Sequence, residues 1–364
     1  MKKLGFGLMR LPMLDGEIDI EQVKQMVDLF MERGFTYFDT AYGYHGGKSE
    51  VAAKIALVDR YPRERFQLAT KLPAWTARDA EGARQMLYTS LERSGAGYFD
   101  YYLLHNLGDK RTEVFENYDL WNFIAEEKKK GTLRNVGFSF HDGADALDKI
   151  LTQHPEVDFV QLQINYADWE SNIIQSRRCY EVALKHNKPV IVMEPVKGGA
   201  LANMLPEVAA PLAAYNPDAS QSSWAVRFAA SLPGVMMVLS GMSNLQQMDD
   251  NTSYMQDFKA LSEEELAVID QVRDLLSKTD HVPCTSCSYC TKGCPMQINI
   301  PGVFDALNTQ KMYNNLERAK GNYGFATGKG GKARDCIGCG QCESVCPQHI
   351  HIIDMLKVAS ELLD

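Results

Sequence analysis

Cysteine is distributed very unevenly along this chain of 364 residues, which contains nine cysteines. Cys179 lies alone in the first 283 residues, and the other eight fall between Cys284 and Cys346. These eight form two copies of one pattern, which are Cys284, Cys287, Cys290, Cys294, Pro295 and then Cys336, Cys339, Cys342, Cys346, Pro347. A secreted disulfide framework would spread cysteines over a small chain, whereas here a thiol-dense tail follows a long thiol-poor region.

The spacing within each run is typical of iron–sulfur ligation, in which the fourth cysteine serves the cluster of the other run. Three thiolates separated by two residues can wrap one cubane from a tight loop, and a distant fourth closes the far corner. This crossing rule predicts one [4Fe–4S] cluster on Cys284, Cys287, Cys290 and Cys346, and a second on Cys336, Cys339, Cys342 and Cys294. A structural zinc site, which usually takes paired C-x2-C units, and disulfide bonds are the alternatives.

The tail resembles a two-cluster ferredoxin with a long insert between its two cysteine runs. Within the insert, Asn299-Ile300-Pro301 precedes an apolar-periodic run, as at the start of a helix. Residues 350–363 also have a helical pattern. We therefore expect a small, mainly helical iron–sulfur domain over residues 276–364. Cys179 is most simply a buried apolar residue.

The first 275 residues alternate short apolar runs with amphipathic segments. The strand candidates are residues 4–9, 36–39, 67–70, 101–104, 135–139, 159–163, 190–193 and 235–240. Between the first two, Val23, Met26, Val27 and Phe30 recur at helical spacing. Eight strand–helix units over this length predict an α/β fold of the (β/α)8 TIM barrel type for residues 1–275. An open doubly wound sheet is the alternative, weakened because no G-x-G-x-x-G follows the early strands.

Polar residues stand at or near the ends of the predicted strands. They are Asp39, Lys71, His105, Ser139, Gln161, Glu194 and Ser240. Each taken alone is explained by helix capping, surface exposure or a satisfied core position. In a barrel, however, the carboxyl ends of all strands meet on one face, where active sites are built. Their joint placement therefore predicts a site at the mouth of the barrel.

The overall charge restricts the classes of partner. Lysine and arginine number 38 against 47 aspartate and glutamate, for a net charge of −9. An acidic chain repels nucleic-acid backbones and anionic lipid, so we expect neither nucleic acid nor membrane as a partner. No stretch approaches the roughly 18 apolar residues of a membrane helix, and charged residues interrupt the N-terminal segment. We expect a cytoplasmic protein.

At the strand ends the chain resembles the aldo/keto reductase superfamily, over about Leu4 to Leu276. The matching motifs are Phe38-Asp39-Thr40-Ala41-Tyr42-Gly43-Tyr44, Ala69-Thr70-Lys71, Leu103-Leu104-His105 and Gly137-Phe138-Ser139. The resemblance implies a catalytic set of Asp39, Tyr44, Lys71 and His105. Tyr42 is the nearby competitor for the tyrosine position.

These side chains suit carbonyl reduction, which needs a proton donor at the oxygen and a polarising group. An unperturbed phenol, with a pKa of about 10, is a slow acid at neutral pH. We expect Lys71 to lower the pKa of Tyr44, with Asp39 holding the lysine charged and oriented. His105 can donate a hydrogen bond to the carbonyl oxygen, which leaves Tyr44 as the acid or, in reverse, the base.

The resemblance also implies a nicotinamide cofactor. Ser139 and Gln161 take the places that hold the carboxamide, although Phe140 stands where the family usually has asparagine. The segment for the adenosine end supplies Ser240, Gly241, Met242, Gln247, Asp250 and Asn251. Gly241 replaces a common lysine, and Gln247 replaces an arginine that contacts the 2′-phosphate. Because an amide is a poor substitute for guanidinium there, both NADP(H) and NAD(H) are candidates.

Hydride transfer moves two electrons at once, whereas iron–sulfur clusters pass one at a time. A flavin could convert between the two modes, which makes FMN a further candidate. Lys197 and Gly198, beyond the seventh strand, are candidates to bind the phosphate of NAD(P) or FMN. Three interpretations remain. The first is an oxidoreductase whose clusters relay electrons to or from a carbonyl or alcohol substrate, with a redox protein as a candidate partner. The second is a plain NAD(P)H carbonyl reductase with structural or sensing clusters, and the third is an electron carrier with an inactive barrel.

Overall fold

The structure is a computed structural model that describes residues 2–109, 111–172, 174–284, 288–346 and 348–364. Within these residues, eight parallel strands close into a barrel whose first strand pairs with both the second and the eighth. In chain order β1–β8 are Leu4–Gly7, Tyr37–Asp39, Gln67–Leu72, Phe99–Leu107, Leu133–Phe140, Phe159–Gln163, Val190–Met193 and Val235–Ser240. The predicted barrel is confirmed, and the open doubly wound sheet is wrong.

The barrel is closed by tight packing between its first and last strands. Leu4 pairs with Val238 and Phe6 with Ser240 along this seam. A Cβ atom at Gly5 would lie only 2.7 Å from Cδ2 of Leu239, so a larger residue there would displace packed side chains in the barrel interior. Glycine in β1 therefore suits the tight packing at this seam.

Helices and short helical turns connect the strands. The helices are α1 Ile20–Glu32, α2 Lys48–Ala53, α3 Ala80–Ser94, α4 Glu113–Asn117, α5 Leu120–Lys130, α6 Ala144–Gln153, α7 Ser176–Lys185, α8 Pro206–Tyr215, α9 Gln221–Ser231 and α10 Leu245–Gln256. Helix α1 begins where the Asp19 side chain accepts the backbone N–H of Gln22, and it buries the residues that its periodicity predicted. A short antiparallel hairpin, Met13–Leu14 with Glu17–Ile18, precedes it.

Contacts within the chain define two compact units. One comprises the residues up to Pro195 together with Ser223–Ser262, which include all barrel strands of the described residues. The other comprises Val196–Ser222 and Glu263–Asp364. Helix α8 therefore groups with the C-terminal unit, where it contacts α11, Glu263–Lys278. The sequence-based boundary between residues 275 and 276 stays a prediction.

The C-terminal unit is helical in its described residues. After α11 come α12 Tyr289–Lys292, α13 Ile300–Tyr313, α14 Leu316–Thr327, α15 Gln341–Ser344 and α16 Ile352–Leu363. Helix α13 begins as its sequence predicts, with Asn299 accepting the backbone N–H of Gly302 and proline in the first turn. Its buried core includes Val303, Phe304 and Leu307 from α13 and Leu356 from α16.

Among the described residues, none of the helices combines the length and the apolar character that a membrane span requires.

Candidate functional site

The inner wall of the barrel positions the predicted catalytic side chains. Apolar residues fill the interior: Tyr37, Ala69, Tyr101, Leu103, Phe159, Ile191, Met237 and Leu239. Along a strand, residues two positions apart point to the same face. Asp39, Lys71, His105 and Gln161 each stand two residues beyond one of these core residues, on β2, β3, β4 and β6. The alternation of each strand therefore directs all four inward, toward the carboxyl ends.

Lys71 lies at the centre of a buried polar cluster. Its Nζ donates to Oδ1 of Asp39 at 2.5 Å and to the backbone carbonyl of Thr40 at 2.8 Å. The same nitrogen lies 3.3 Å from the hydroxyl of Tyr44, to which it donates. Lys71 is 1% exposed and Asp39 is 3% exposed, so solvent does not screen the ion pair. The carbonyl of Thr40 is a partner that the sequence motif did not identify.

His105 lies beside this cluster at the more open side of the site. The rings of Tyr44 and His105 meet edge to face, with their centroids 6.1 Å apart. Trp75, which is 48% exposed, lies against the other side of the imidazole with its ring centroid at 5.4 Å. Nδ1 of His105 is buried and has no hydrogen-bond partner within the described part of the chain. Tyr44 and His105 are half-buried, which leaves them accessible from the barrel mouth.

Burial and charge together set the protonation of the cluster. Burial lowers the pKa of His105 well below its ordinary value, and the nearby ammonium of Lys71 adds to this, so the imidazole is neutral at pH 7. Burial alone would lower the pKa of Lys71, but Asp39 and Tyr44 raise it above its ordinary value. Lys71 therefore remains a charged ammonium group over the physiological range.

The pKa of Tyr44 corrects one expectation. Burial raises it above 10, and Lys71 opposes that effect without reversing it, while Asp39 acts in the same direction as burial. The expected net lowering by Lys71 is wrong, because the desolvation of the phenolate outweighs the single ammonium. At neutral pH the phenol thus carries its proton, which is the form that an acid requires.

Ser139 and Gln161 stand side by side on neighbouring strands, where β5 pairs with β6. Both are buried. The hydroxyl of Ser139 accepts the backbone N–H of Asn106 at 2.8 Å, so its own hydrogen remains available to a ligand. Oε1 of Gln161 is buried with no hydrogen-bond partner in the described residues. The amide oxygen of Gln161 could accept an N–H of a carboxamide, and the hydroxyl of Ser139 could donate to its C=O group.

The segment after β8 forms a compact polar turn. Ser240 donates to Oδ1 of Asn251 at 2.8 Å, and Nδ2 of Asn251 donates to Asp250 at 3.4 Å. Met242 is buried, and Gly241 lies close to Gly7 at the end of β1. These residues therefore meet near the carboxyl end of β8, as the resemblance implied.

Gln247 also belongs to this turn, at the start of α10. Its Oε1 accepts the backbone N–H of Ser243 at 2.7 Å. Residues 240–251 contain neither lysine nor arginine. Residues 240–251 therefore offer no basic side chain that could bind the 2′-phosphate of NADP(H).

Lys197 and Gly198 group with the C-terminal unit. Lys197 Nζ lies 5.9 Å from the ring centroid of Tyr313 in α13, and a Cβ atom at Gly198 would overlap the guanidinium of Arg318 in α14. Both residues have left-handed backbone conformations. Their contacts within this unit are thus with helices, and their role as phosphate ligands stays a prediction.

Cysteines from both runs meet in the C-terminal unit. Cys284 and Cys290 of the first run line one cavity together with Cys346, the last cysteine of the second run. Its walls are apolar and include Ile300, Phe304, Ile350 and Ile352. This is the combination that the crossing rule predicted for one cluster, with Cys287 outside the described residues. Thiolate donors in an apolar pocket fit the chemistry of an iron–sulfur cluster.

The ligands predicted for the second cluster lie in the same core. Cys342 is buried in it, and Cys294 and Cys336 pack against it, whereas Cys339 is exposed. Helices α12 and α15, which carry Cys290 and Cys342, contact each other. Among the described residues, no group of three or more donor side chains is arranged to hold a single metal ion.

The repeat of the two cysteine runs extends to the backbone around them, which the cysteine spacing alone did not predict. Ser288 and Gly340, one before α12 and one before α15, both have positive φ. Gln297 and His349, three residues after the last cysteine of each run, are likewise left-handed and donate to the carbonyl of that cysteine. Long helices then begin at Ile300 and Ile352. The constant offset between the two runs, extended past Pro295 and Pro347 to these isoleucines, is the signal that could have revealed it.

Comparison with known protein families supports both the barrel and the iron–sulfur domain. The model of the aldo/keto reductase family matches residues 3–274, and that of the 4Fe-4S dicluster domain matches residues 283–351. The chain therefore belongs to the aldo/keto reductase family, a family of oxidoreductases, and it carries a 4Fe-4S dicluster domain in the same polypeptide.

The sequence identity between this chain and individual relatives is low. An aldo-keto reductase from Mycolicibacterium vanbaalenii is 34% identical over 138 residues, which are 37% of this chain and 46% of that protein. The NADH-specific methylglyoxal reductase of Escherichia coli is 26% identical over 238 residues, or 56% of this chain and 70% of that protein. The chain spans about half the length of the Mycolicibacterium relatives it matches. An aldo-keto reductase structure from Klebsiella pneumoniae, in complex with NADPH, superposes with a TM-score of 0.59 at 21% identity, covering 74% of this chain and 90% of that one.

Proposed function

We propose that the barrel reduces a small-molecule carbonyl with a nicotinamide cofactor, or oxidises the corresponding alcohol. The observation that carries this proposal is the buried contact of Lys71 with Asp39 and with the hydroxyl of Tyr44. A bound reduced nicotinamide supplies the hydride to the carbonyl carbon. A carboxamide site beside this cluster is supported by Ser139 and Gln161, because Oε1 of Gln161 has no hydrogen-bond partner in the described part of the chain and the hydroxyl of Ser139 acts there as an acceptor.

The proton comes from Tyr44 in the direction of reduction. Because burial keeps its pKa above 10, the phenol arrives protonated and passes that proton to the carbonyl oxygen as the alcohol forms. The phenolate left behind is stabilised by the ammonium of Lys71 at 3.3 Å. Asp39 and the carbonyl of Thr40 fix that ammonium, so it does not have to reorganise during the reaction.

His105 orients the substrate in this proposal. A neutral imidazole can donate one N–H to the carbonyl oxygen and thereby polarise it without competing as a proton donor. Trp75 beside it presents an exposed apolar surface to the substrate.

The test of this proposal is the Tyr44→Phe variant of the full chain, assayed with NADH and NADPH against methylglyoxal and 4-nitrobenzaldehyde. Loss of the proton donor should lower kcat by about 10²–10⁴-fold. Cofactor affinity, followed by nicotinamide fluorescence, should stay within twofold. Tyr42→Phe is the matched control and should retain turnover. Unchanged turnover in Tyr44→Phe would refute the proposal.

We propose further that the eight tail cysteines hold two [4Fe–4S] clusters with exchanged fourth ligands, and that these clusters relay electrons to or from the barrel reaction. The shared cavity of Cys284, Cys290 and Cys346 supports the exchange. FMN as the converter and a redox protein as the external partner remain predictions. Anaerobic purification with iron, sulfide and flavin measured together, followed by adding NADH, tests them. Clusters that stay oxidised with NADH would favour a structural or sensing role.

A further inference from the structure

The loop that carries Tyr44 contains an unusual run of backbone conformations. His45, Gly46 and Gly47 follow one another with φ values of 50°, 64° and 92°. A side chain such as that of histidine rarely adopts this left-handed region, and such strain persists only where surrounding contacts hold the backbone in place. Tyr44 directly precedes the run. Whatever holds these three residues therefore also fixes the position of the phenol.

Glu50, in the first turns of α2, is one of the groups that hold the loop. It has no exposed surface. Its Oε1 accepts a hydrogen bond from Thr70 at 2.7 Å, and Thr70 directly precedes Lys71 on β3. Its Oε2 lies 3.5 Å from Nη1 of Arg93, in α3. Glu50 thereby joins the segment after Tyr44 to the strand that carries Lys71.

Arg93 closes the same loop from its other side. Its Nη1 donates to the backbone carbonyl of Tyr42 at 3.1 Å, and its guanidinium lies over the Tyr42 ring at 4.3 Å. At Gly47, where φ is 92°, a Cβ atom would come within 2.9 Å of Nη1, so a larger residue would strain the backbone and displace the guanidinium. One side chain thus contacts the loop both before and after Tyr44.

A second buried carboxyl group in the barrel makes a useful contrast. Asp100, near the amino end of β4, pairs with Arg63 at 2.7 Å and Arg134 at 3.2 Å. It also accepts the backbone N–H of Leu68. The amino ends of barrel strands contribute to stability, whereas the carboxyl ends carry catalysis. Glu50 makes its contact next to Lys71, on the catalytic side.

We propose that Glu50 and Arg93 form a positioning pair that sets the distance between the hydroxyl of Tyr44 and the ammonium of Lys71. This inference rests on the proposed function, in which Tyr44 donates the proton. Neither residue touches the reacting atoms. They act by holding the strained loop against β3, so their loss misplaces the phenol while the barrel and the cofactor site persist.

The experiment compares Glu50→Gln with the wild-type full chain, using NADH and whichever of methylglyoxal and 4-nitrobenzaldehyde turns over faster. The amide carries no charge and has one acceptor oxygen, whereas Glu50 uses two, for Thr70 and for Arg93, so kcat should fall by about 10- to 100-fold, the range for a misplacement of about 1 Å. The solvent deuterium isotope effect on kcat should rise, because proton transfer from Tyr44 becomes slower. The Kd of NADH should stay within twofold.

Asp100→Asn is the control for a merely structural loss. It should lower the thermal midpoint while leaving kcat and the isotope effect of the folded enzyme within twofold. If Glu50→Gln fails to fold, Arg93→Lys is tested under the same criteria. Lysine keeps the positive charge but lacks the planar guanidinium, with its several N–H donors, that lies over the Tyr42 ring. A kcat within twofold of wild type, or a fall with an unchanged isotope effect, overturns the proposal. Failure of the proposed function is separate, because it would appear as full turnover in Tyr44→Phe.

Discussion

Lys71 and Asp39 form an ion pair across neighbouring barrel strands, with Nζ 2.5 Å from Oδ1 and both side chains almost fully withdrawn from solvent. The second carboxylate oxygen of Asp39 has no hydrogen-bond partner among the described residues. The pair depends on the inward direction of both side chains. The ion pair therefore forms only when the barrel is folded, and it places the ammonium group of Lys71 at the carboxyl ends of the strands.

Lys71→Met should destabilise the fold by about 3–5 kcal/mol, because it leaves the buried carboxyl group of Asp39 unpaired. Urea denaturation measures this loss. The double variant Asp39→Asn with Lys71→Met should regain part of the stability, since it removes both charges, but none of the activity. A single variant as stable as wild type would contradict the ion pair.

Stability should fall as the pH drops below about 6.5 because of His105. Its pKa in the folded chain lies well below the ordinary 6.5, so the unfolded chain takes up a proton that the fold excludes. The free energy of unfolding then decreases with falling pH, by at most about 1.4 kcal/mol per pH unit for this one group. His105→Gln should flatten that dependence between pH 6.5 and pH 5, measured by denaturation at each pH. Parallel curves for the two proteins would count against a depressed pKa.

Gln247→Arg should improve the use of NADPH relative to NADH. Gln247 now caps the N–H of Ser243, and no lysine or arginine occurs in residues 240–251. A guanidinium at that position can bind a 2′-phosphate through charge-assisted hydrogen bonds, which should lower the Kd of NADPH by about tenfold. Fluorescence titration with both cofactors measures the ratio. Gln246→Arg, one residue earlier on the exposed start of α10, adds the same charge and should change the ratio little.

Cys346→Ala and Cys284→Ala should have the same effect on iron content, although the residues lie in different runs. Both line one cavity with Cys290. Each variant should lose one cluster, taking the iron from about eight to about four atoms per chain. Iron analysis of anaerobically purified protein measures this, with Cys179→Ala as a control that should keep the full content. Different residual spectra in the two variants would argue against a common cluster.

The alternation of apolar runs predicts the barrel well because a parallel strand is buried on both faces and so is almost continuously apolar. The pattern underestimates β4, which extends from Phe99 to Leu107, since His105 and Asn106 interrupt the apolar run. Helix α14 was not predicted from the sequence because Gly321 and Gly324 have low helix propensity.

The residues proposed to be catalytic were predictable because each lies in a local motif, either in a strand near its carboxyl end or, for Tyr44, in the loop that follows β2. Glu50 and Arg93 were not, because their contacts join α2, α3 and β3 and leave no periodic trace in the sequence. The direction of the pKa shift of Tyr44 was predicted wrongly for a related reason. A sequence shows which charge stands near the phenol, but only the folded chain shows how much water has been removed from it.

The repeat in the C-terminal unit has a consequence for how this part of the chain can be built. Since Cys346 shares its pocket with Cys284 and Cys290, neither half supplies a complete set of thiols for that pocket by itself. A cut in α14, between the two halves, would thus separate donors that belong together even though it touches no cysteine. To form the proposed cluster, one half produced alone would need a second copy of itself to supply the missing thiolate.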